Sequence, residues 1–206
     1  MVTTETVVKT GVRNVLLAGV GGQGILLASE IVASAAMECG FDVKTNEIHG
    51  MAQRGGSVVA QIRYGTEGEV HGPIIPEGTA TVLGSLELIE SLRYAHFLAP
   101  GAWAIISRQR MIPVTVSSGM AKYPIDAEER IAATFPHHRI IDAEHLAQEA
   151  GTIRAANVVV LGAIASVLTD LPRDAWESAV TRCVKPAHRE LNLRAFAMGF
   201  DTTNAI

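Results

Sequence analysis

Short apolar runs alternate with stretches of helical spacing along most of this chain. Val15-Leu16-Leu17-Ala18 is unbroken and of strand length, the pattern of a strand buried on both faces. The glycine cluster Gly19 to Gly24 follows at once. Ile25 through Ala36 then predicts an Ala-rich helix packed on most of its circumference, with Cys39-Gly40 as its stop. Phe41 to Lys44 predicts a second strand, so the opening reads as a βαβ unit. Asn46 to Gly56 has no periodicity and reads as a loop, whereas Val58 to Tyr64 alternates as a strand does. Further strands are expected at Thr79 to Leu83, Trp103 to Ile106, Val114 to Val116 and Arg139 to Ile141. Helices are expected from Leu86 to near His96, after Asp126 with Glu129 at capping-box spacing, and after Asp142. Three more close the chain, at Asn157 to Leu168, Arg173 to Cys183 and Pro186 to Met198. The fold class is therefore α/β, a Rossmann-like three-layer sandwich with a mostly parallel sheet and a helical C-terminal elaboration. Residues 1–12 lack apolar patterning and are expected to form a tail, leaving 13–206 as a single domain.

Composition narrows the class. Of 206 residues, 48% are hydrophobic and 18% charged, which excludes disorder and suggests a surface made to be covered by a partner. A net charge of −4 gives no footprint for nucleic acid. The longest apolar stretch, Val158 to Leu168, is too short to span a bilayer, and with no signal-peptide core the expected location is cytoplasmic. Cys39 and Cys183 cannot ligate an iron–sulfur cluster alone and read as buried thiols in a reducing compartment. His137-His138 and His145 lack acid or thiol company, so no metal site is expected. Trp103 and Trp176 read as core or interface, and Arg182, Lys185, Arg189 and Arg194 as a solvated face or a docking stripe.

Two segments carry candidate chemistry. Gly19-Val20-Gly21-Gly22-Gln23-Gly24 is a G-x-G-x-x-G turn between strand and helix, a geometry that admits phosphate at free N–H groups. A nicotinamide nucleotide would also want an acid closing the second strand; Asp42 stands early for that role and Glu47 falls in the expected loop. That loop gathers Glu47, His49, Gln53, Arg54 and Ser57 beside Gly50, Gly55 and Gly56, either as a ligand loop or as a charged surface turn.

NVLLAGVGGQGILLASEIV, NEIHGMAQRGGSVVAQIRYG and IIPEG, with the later Pro113, Gly119, Tyr123-Pro124, Asn157, Leu161-Gly162-Ala163 and Asn192 to Phe196, closely resemble the gamma module of the 2-oxoacid:ferredoxin oxidoreductases. Among these they resemble the small (beta) subunits of the indolepyruvate enzymes. The most specific element is His49-Gly50-Met51-Ala52-Gln53-Arg54-Gly55-Gly56; Thr81 departs from an expected acid. The resemblance implies oxidative decarboxylation of indolepyruvate or another aryl 2-oxoacid to an acyl-CoA, with CO2 release and ferredoxin reduction. It also implies thiamine diphosphate, Mg and [4Fe–4S] clusters on a large alpha subunit, in a hetero-oligomer such as α2β2. For this chain it implies that Gly19, Gly21, Gly22, Gln23 and Gly24 hold coenzyme A or another phosphate. Glu47, His49, Gln53, Arg54, Gly55, Gly56 and Ser57 would then wall the active site, with His49 relaying a proton or only bonding the loop backbone. An autonomous NAD(P)-binding Rossmann protein and a purely structural assembly subunit stay open as alternatives.

Overall fold

The computed structural model describes residues 11–49, 55–112, 116, 119–120 and 122–202. Six strands form one sheet: β1 (Arg13–Val20), β2 (Asp42–His49), β3 (Ser57–Gly65), β4 (Ala80–Ser85), β5 (Leu98–Ser107) and β6 (His138–Ile141). Their order is β2-β3-β1-β4-β5-β6. β1, β4, β5 and β6 pair in parallel, while β3 runs antiparallel to both β1 and β2.

The opening therefore differs from a simple βαβ unit. After β1, helix α1 (Ile25–Glu38) delivers β2 to the sheet edge, and β3 folds back between them. Residues 46–49, expected in a loop, extend β2 because Asn46 to His49 pair with Gln61 to Val58. Sequence periodicity missed this because an edge strand buries little, and Glu47, Ile48 and His49 are all exposed. The expected strand at Val114 to Val116 lies mostly outside the described residues, and Val116 itself is helical. β5 begins at Leu98, before Pro100-Gly101, and absorbs the pair through a register shift opposite Ala80 to Val82.

The sheet's alternation builds two cores. Val15, Leu17, Ala60, Ile62, Val82 and Ile105 face one side. There they pack on α1, α4 (Ala143–Ala150), α5 (Ala156–Ala165), α6 (Arg173–Cys183) and α7 (Arg189–Asp201). Leu16, Ala18, Val59, Leu83, Ala104 and Ile106 face the other, under α2 (Leu88–Arg93) and α3 (Ala127–Thr134). The result is the expected three-layer α/β sandwich. α5 is buried from Asn157 to Ala165, as an all-apolar helix must be. α1 is not: only one face is covered, and Leu26 and Met37 are exposed. Asp126 occupies the N-cap of α3 without capping through its side chain, which pairs with Arg130 instead; Asp142 does cap α4, accepting from the His145 N–H. Cys39 and Cys183 are in no disulfide and, against the expected burial, are only half-buried. Among the described residues, no helix is long and apolar enough to cross a membrane.

Candidate functional site

Because β2, β1, β4 and β5 all run the same way, their carboxyl ends share one edge of the sheet, the edge where open α/β sheets hold ligands. The glycine turn lies there. Gly22 (φ 106°) and Gly24 (φ 80°) adopt backbone conformations that favour glycine, and Gly24 forms the α1 N-cap with no side-chain cap. The amides of the α1 first turn thus have no intrahelical acceptor. Other turn amides are taken: Val20 N–H donates to Gln23 Oε1, Gln23 N–H to Val20 O, and Gly21 N–H to Gly56 O at 2.8 Å. That last bond stitches the glycine turn to the β2–β3 connection, and the Gly55 N–H faces Gly21 O at 3.5 Å.

Gln23 is more than a turn residue. Its Nε2 donates to Leu86 O at 2.7 Å and to Gln109 Oε1 at 2.5 Å, and Gln109 in turn donates to Glu144 at 2.7 Å. One side chain thereby ties together the ends of β1, β4 and β5 and the start of α4. The network borders a cavity of about 250 Å³, lined among others by Gly22, Ser107, Glu144, Arg154 and Asn157. Asn157 donates through Nδ2 to Gly24 O at 3.1 Å, while its buried Oδ1 has no hydrogen-bond partner. Buried acceptors are rarely left so, and this one stands beside the turn and the cavity.

On the other side of the turn, a cavity of about 360 Å³ is lined by Val20, Gly55, Ser57, Glu87, Glu90 and Tyr123, among others. Ser57 Oγ donates to Glu90 at 2.5 Å and lies 3.0 Å from the Tyr94 hydroxyl; Arg93 Nε donates to the other Glu90 oxygen at 2.9 Å. Glu87 caps α2, accepting from the Ile89 and Glu90 amides, and also accepts from Met111 N–H and, at 2.7 Å, the Tyr123 hydroxyl. Both carboxylates are buried and both are well supplied with donors, which offsets their desolvation. Burial, and then the bond to Glu87, push the Tyr123 phenol well above its usual pKa. At neutral pH it is a donor.

The other sequence candidates divide. His49 and Glu47 share one face of β2, their side chains 4.0 Å apart and largely open to solvent. Gln53 and Arg54, with Gly50, Met51 and Ala52, lie outside the described residues. Thr81, the departure from the resemblance, accepts from the Asn14 N–H, a strand-tying role. The histidines do not gather: His138 bonds Phe135 O, His137 stacks near Trp103, and His145 faces Glu149. Among the described residues no group of three metal-ligating side chains forms. Trp176 is fully buried and stacks on Phe196. Arg182 is spent on Ser34 and Glu38, and Arg194 on Ala150 O and Glu190, so the supposed stripe is half used internally.

Sequence reasoning passed over Glu87, Glu90, Tyr94, Gln109 and Glu144 as site residues. They are ordinary surface-type residues dispersed over sixty positions, and only the sheet edge brings them together. Asn157 carried a usable signal, a lone amide heading an otherwise apolar helix.

Comparison with known proteins agrees with this architecture. Residues 14–202 match the family model for pyruvate ferredoxin/flavodoxin oxidoreductase. The indolepyruvate oxidoreductase subunit IorB of Archaeoglobus fulgidus is 41% identical over 192 residues, covering 91% of this chain and 94% of the relative. The gamma subunit of a keto/oxoacid ferredoxin oxidoreductase from Geobacter sulfurreducens superposes with a TM-score of 0.68 at 24% identity, covering 94% of this chain and 99% of that one. A 2-oxoglutarate:ferredoxin oxidoreductase from Magnetococcus marinus, solved with 2-oxoglutarate, coenzyme A and succinyl-CoA bound, has a TM-score of 0.69 at 17% identity; the match covers 96% of this chain and 32% of that one. With nearly its whole length matched, this chain belongs to the pyruvate ferredoxin/flavodoxin oxidoreductase family, as a subunit of an oxidoreductase acting on 2-oxoacids.

Proposed function

We propose that this chain is the small subunit of an indolepyruvate-type enzyme that oxidatively decarboxylates an aryl 2-oxoacid to its acyl-CoA, and that it positions coenzyme A and substrate against a large catalytic subunit. The carrying observation is the joined sheet edge: a glycine turn bonded to the β2–β3 connection, bordering a cavity whose buried Asn157 Oδ1 has no partner. Amides at the α1 start would attract a phosphate, and Asn157 would accept from an amide or hydroxyl of the bound molecule. The identity of the bound molecule follows the relatives, one of them named for indolepyruvate and a solved neighbour holding coenzyme A.

The chain's own donors do not fit the redox groups of such a reaction. A [4Fe–4S] cluster wants four thiolates, and the sequence has two cysteines. Thiamine diphosphate, Mg and the clusters belong on the proposed partner, with ferredoxin as its acceptor. This chain's contribution is to bind, orient and exclude water. Glu87, Glu90, Ser57 and Tyr123 hold the walls of the edge in place, and His49 stands exposed at the end of β2. The strand order speaks against an NAD(P) reading. β3 separates β1 from β2, so Glu47 on β2 stands two strands away from the glycine turn, where a ribose-binding acid belongs one strand away.

The test is reconstitution with the large subunit, varying each substrate. Asn157→Ala should raise the KM for coenzyme A about tenfold, the loss of a bond to a buried acceptor, and leave the KM for the 2-oxoacid unchanged. The chain alone should turn over nothing. Turnover by the isolated chain with NAD(P), or an unchanged coenzyme A KM in the variant, overturns the reading.

A further inference from the structure

A third cavity lies among the helices and shares Arg154 with the first. It is bounded by Leu27 of α1, the 3-10 turn Ile153–Ala155, the α6–α7 connection, and Leu191 and Asn192 of α7. Its volume is about 650 Å³, inside the range of small-molecule sites. Leu27, Ala155, Val184 and Leu191 supply apolar walls, and Arg154, Lys185 and His188 supply exposed basic side chains. None of the described residues that line it is acidic.

The charge pattern sets this cavity apart. Elsewhere most guanidinium groups are spent: Arg93, Arg108, Arg130, Arg173, Arg182 and Arg194 each reach a carboxylate, while Arg139 lies over the Trp103 ring with its Nη1 unpartnered. Arg154, Lys185 and His188 reach none among the described residues, and neighbouring Arg189 keeps a buried Nε without a hydrogen-bond partner. In a chain of net charge −4, three basic groups left around one concavity amount to unused anion-binding capacity. The cavities at the sheet edge, in contrast, mix signs: Glu144 with Arg154 in the first, Glu87 and Glu90 with Arg93 in the second. An inorganic anion would fill little of 650 Å³ and leave the apolar walls wet.

We propose that this cavity binds a small anionic amphiphile, an aryl or short acyl body seated on Leu27, Val184 and Leu191 with a carboxylate or phosphate held by Arg154, Lys185 and His188. Arg154 borders the sheet-edge cavity as well, whereas Lys185, His188 and the apolar walls Leu27, Val184 and Leu191 line this cavity and not that one.

Isothermal titration of the full chain with four probes tests it: phenylacetate, phenyl phosphate, 2-phenylethanol and inorganic phosphate. Both aryl anions should bind at least tenfold tighter than the neutral alcohol of the same body, and their order identifies the preferred head group. Phenyl phosphate should bind more tightly than inorganic phosphate. Lys185→Ala should weaken the preferred anion about tenfold, the loss of one charge-assisted bond. That side chain is exposed and carries no bond among the described residues, so an unchanged unfolding midpoint separates lost binding from lost structure. No binding by any probe, equal binding of alcohol and anions, inorganic phosphate as tight as phenyl phosphate, or an unaltered Lys185→Ala each overturns the proposal.

Discussion

Glycine serves opposite purposes in two regions of this molecule. Where α5 crosses α7, Gly162 and Gly199 let two helices meet backbone to backbone: a Cβ on Gly199 would run into the Val159 carbonyl oxygen, and one on Gly162 into that of Phe196. At the glycine turn, a Cβ on Gly22 would meet nothing within 4 Å, and only its φ of 106° favours glycine. Gly162 and Gly199 use missing volume to close a core; Gly22 uses backbone freedom at an open rim, although Gly19 and Gly24 beside it are packed against Gln23 and Asn157. The same residue type therefore marks structure in the helical layer and a candidate ligand edge at the sheet, and the neighbours decide which.

The sharpest way to break this contrast is to add one methyl at each place. Gly199→Ala should be the most damaging, because backbone on a neighbouring helix cannot move aside; a loss of about 3 kcal/mol is expected in denaturant unfolding. A loss below about 1 kcal/mol would show that α5 and α7 part easily and that the helical layer is less closed than its geometry indicates.

Next comes the buried tyrosine of β3. Tyr64 is fully buried, and burial first, then nearby Asp170, hold its phenol well above the ordinary value near 10. Folding therefore retains a proton that the unfolded chain gives up. Stability from this group is complete below about pH 10 and falls above it, by about 1.4 kcal/mol for each further pH unit. Unfolding midpoints measured from pH 9 upward should show this slope, and Tyr64→Phe should flatten it. A wild-type midpoint that is flat across that range would refute the assignment.

The smallest effect is expected at the turn. Gly22→Ala should cost about 1–2 kcal/mol through its left-handed backbone alone, with no clash to relieve. If it destabilises as severely as Gly199→Ala, the two glycines do the same work and the contrast fails.

Much of the fold was legible because its local signals agree. The two-sided apolar run of β1, the all-apolar run that became α5 and the α6 boundaries at Arg173 and Cys183 each follow from periodicity and punctuation. Edge strand β2 was cut short at Lys44 because it is exposed on much of its length, so alternation is weak there and hydrogen bonds to β3 alone hold it. Antiparallel insertion of β3 left no local trace either: a strand's composition records its burial, not the direction of its neighbours.

The candidate site was legible in two halves. Glycine spacing marked the turn, and the dense polar run marked the β2–β3 connection. What joined them is a single backbone bond, Gly21 to Gly56, which exists only because β3 returns beside β1. Ser57 could be named from sequence, but its partners Glu90 and Tyr94 stand more than thirty residues on, in α2 and just beyond it.

By itself, then, the sequence determined which segments bury both faces, where the chain must turn with positive φ, and that two thiols cannot hold an iron–sulfur cluster. Tertiary structure decided which polar groups meet: Gln23 with Gln109, Ser57 with Glu90, Glu87 with Tyr123. Periodicity reports what one residue's neighbours along the chain require, whereas a hydrogen bond between strands and helices depends on register and on crossover, which no short window of sequence contains.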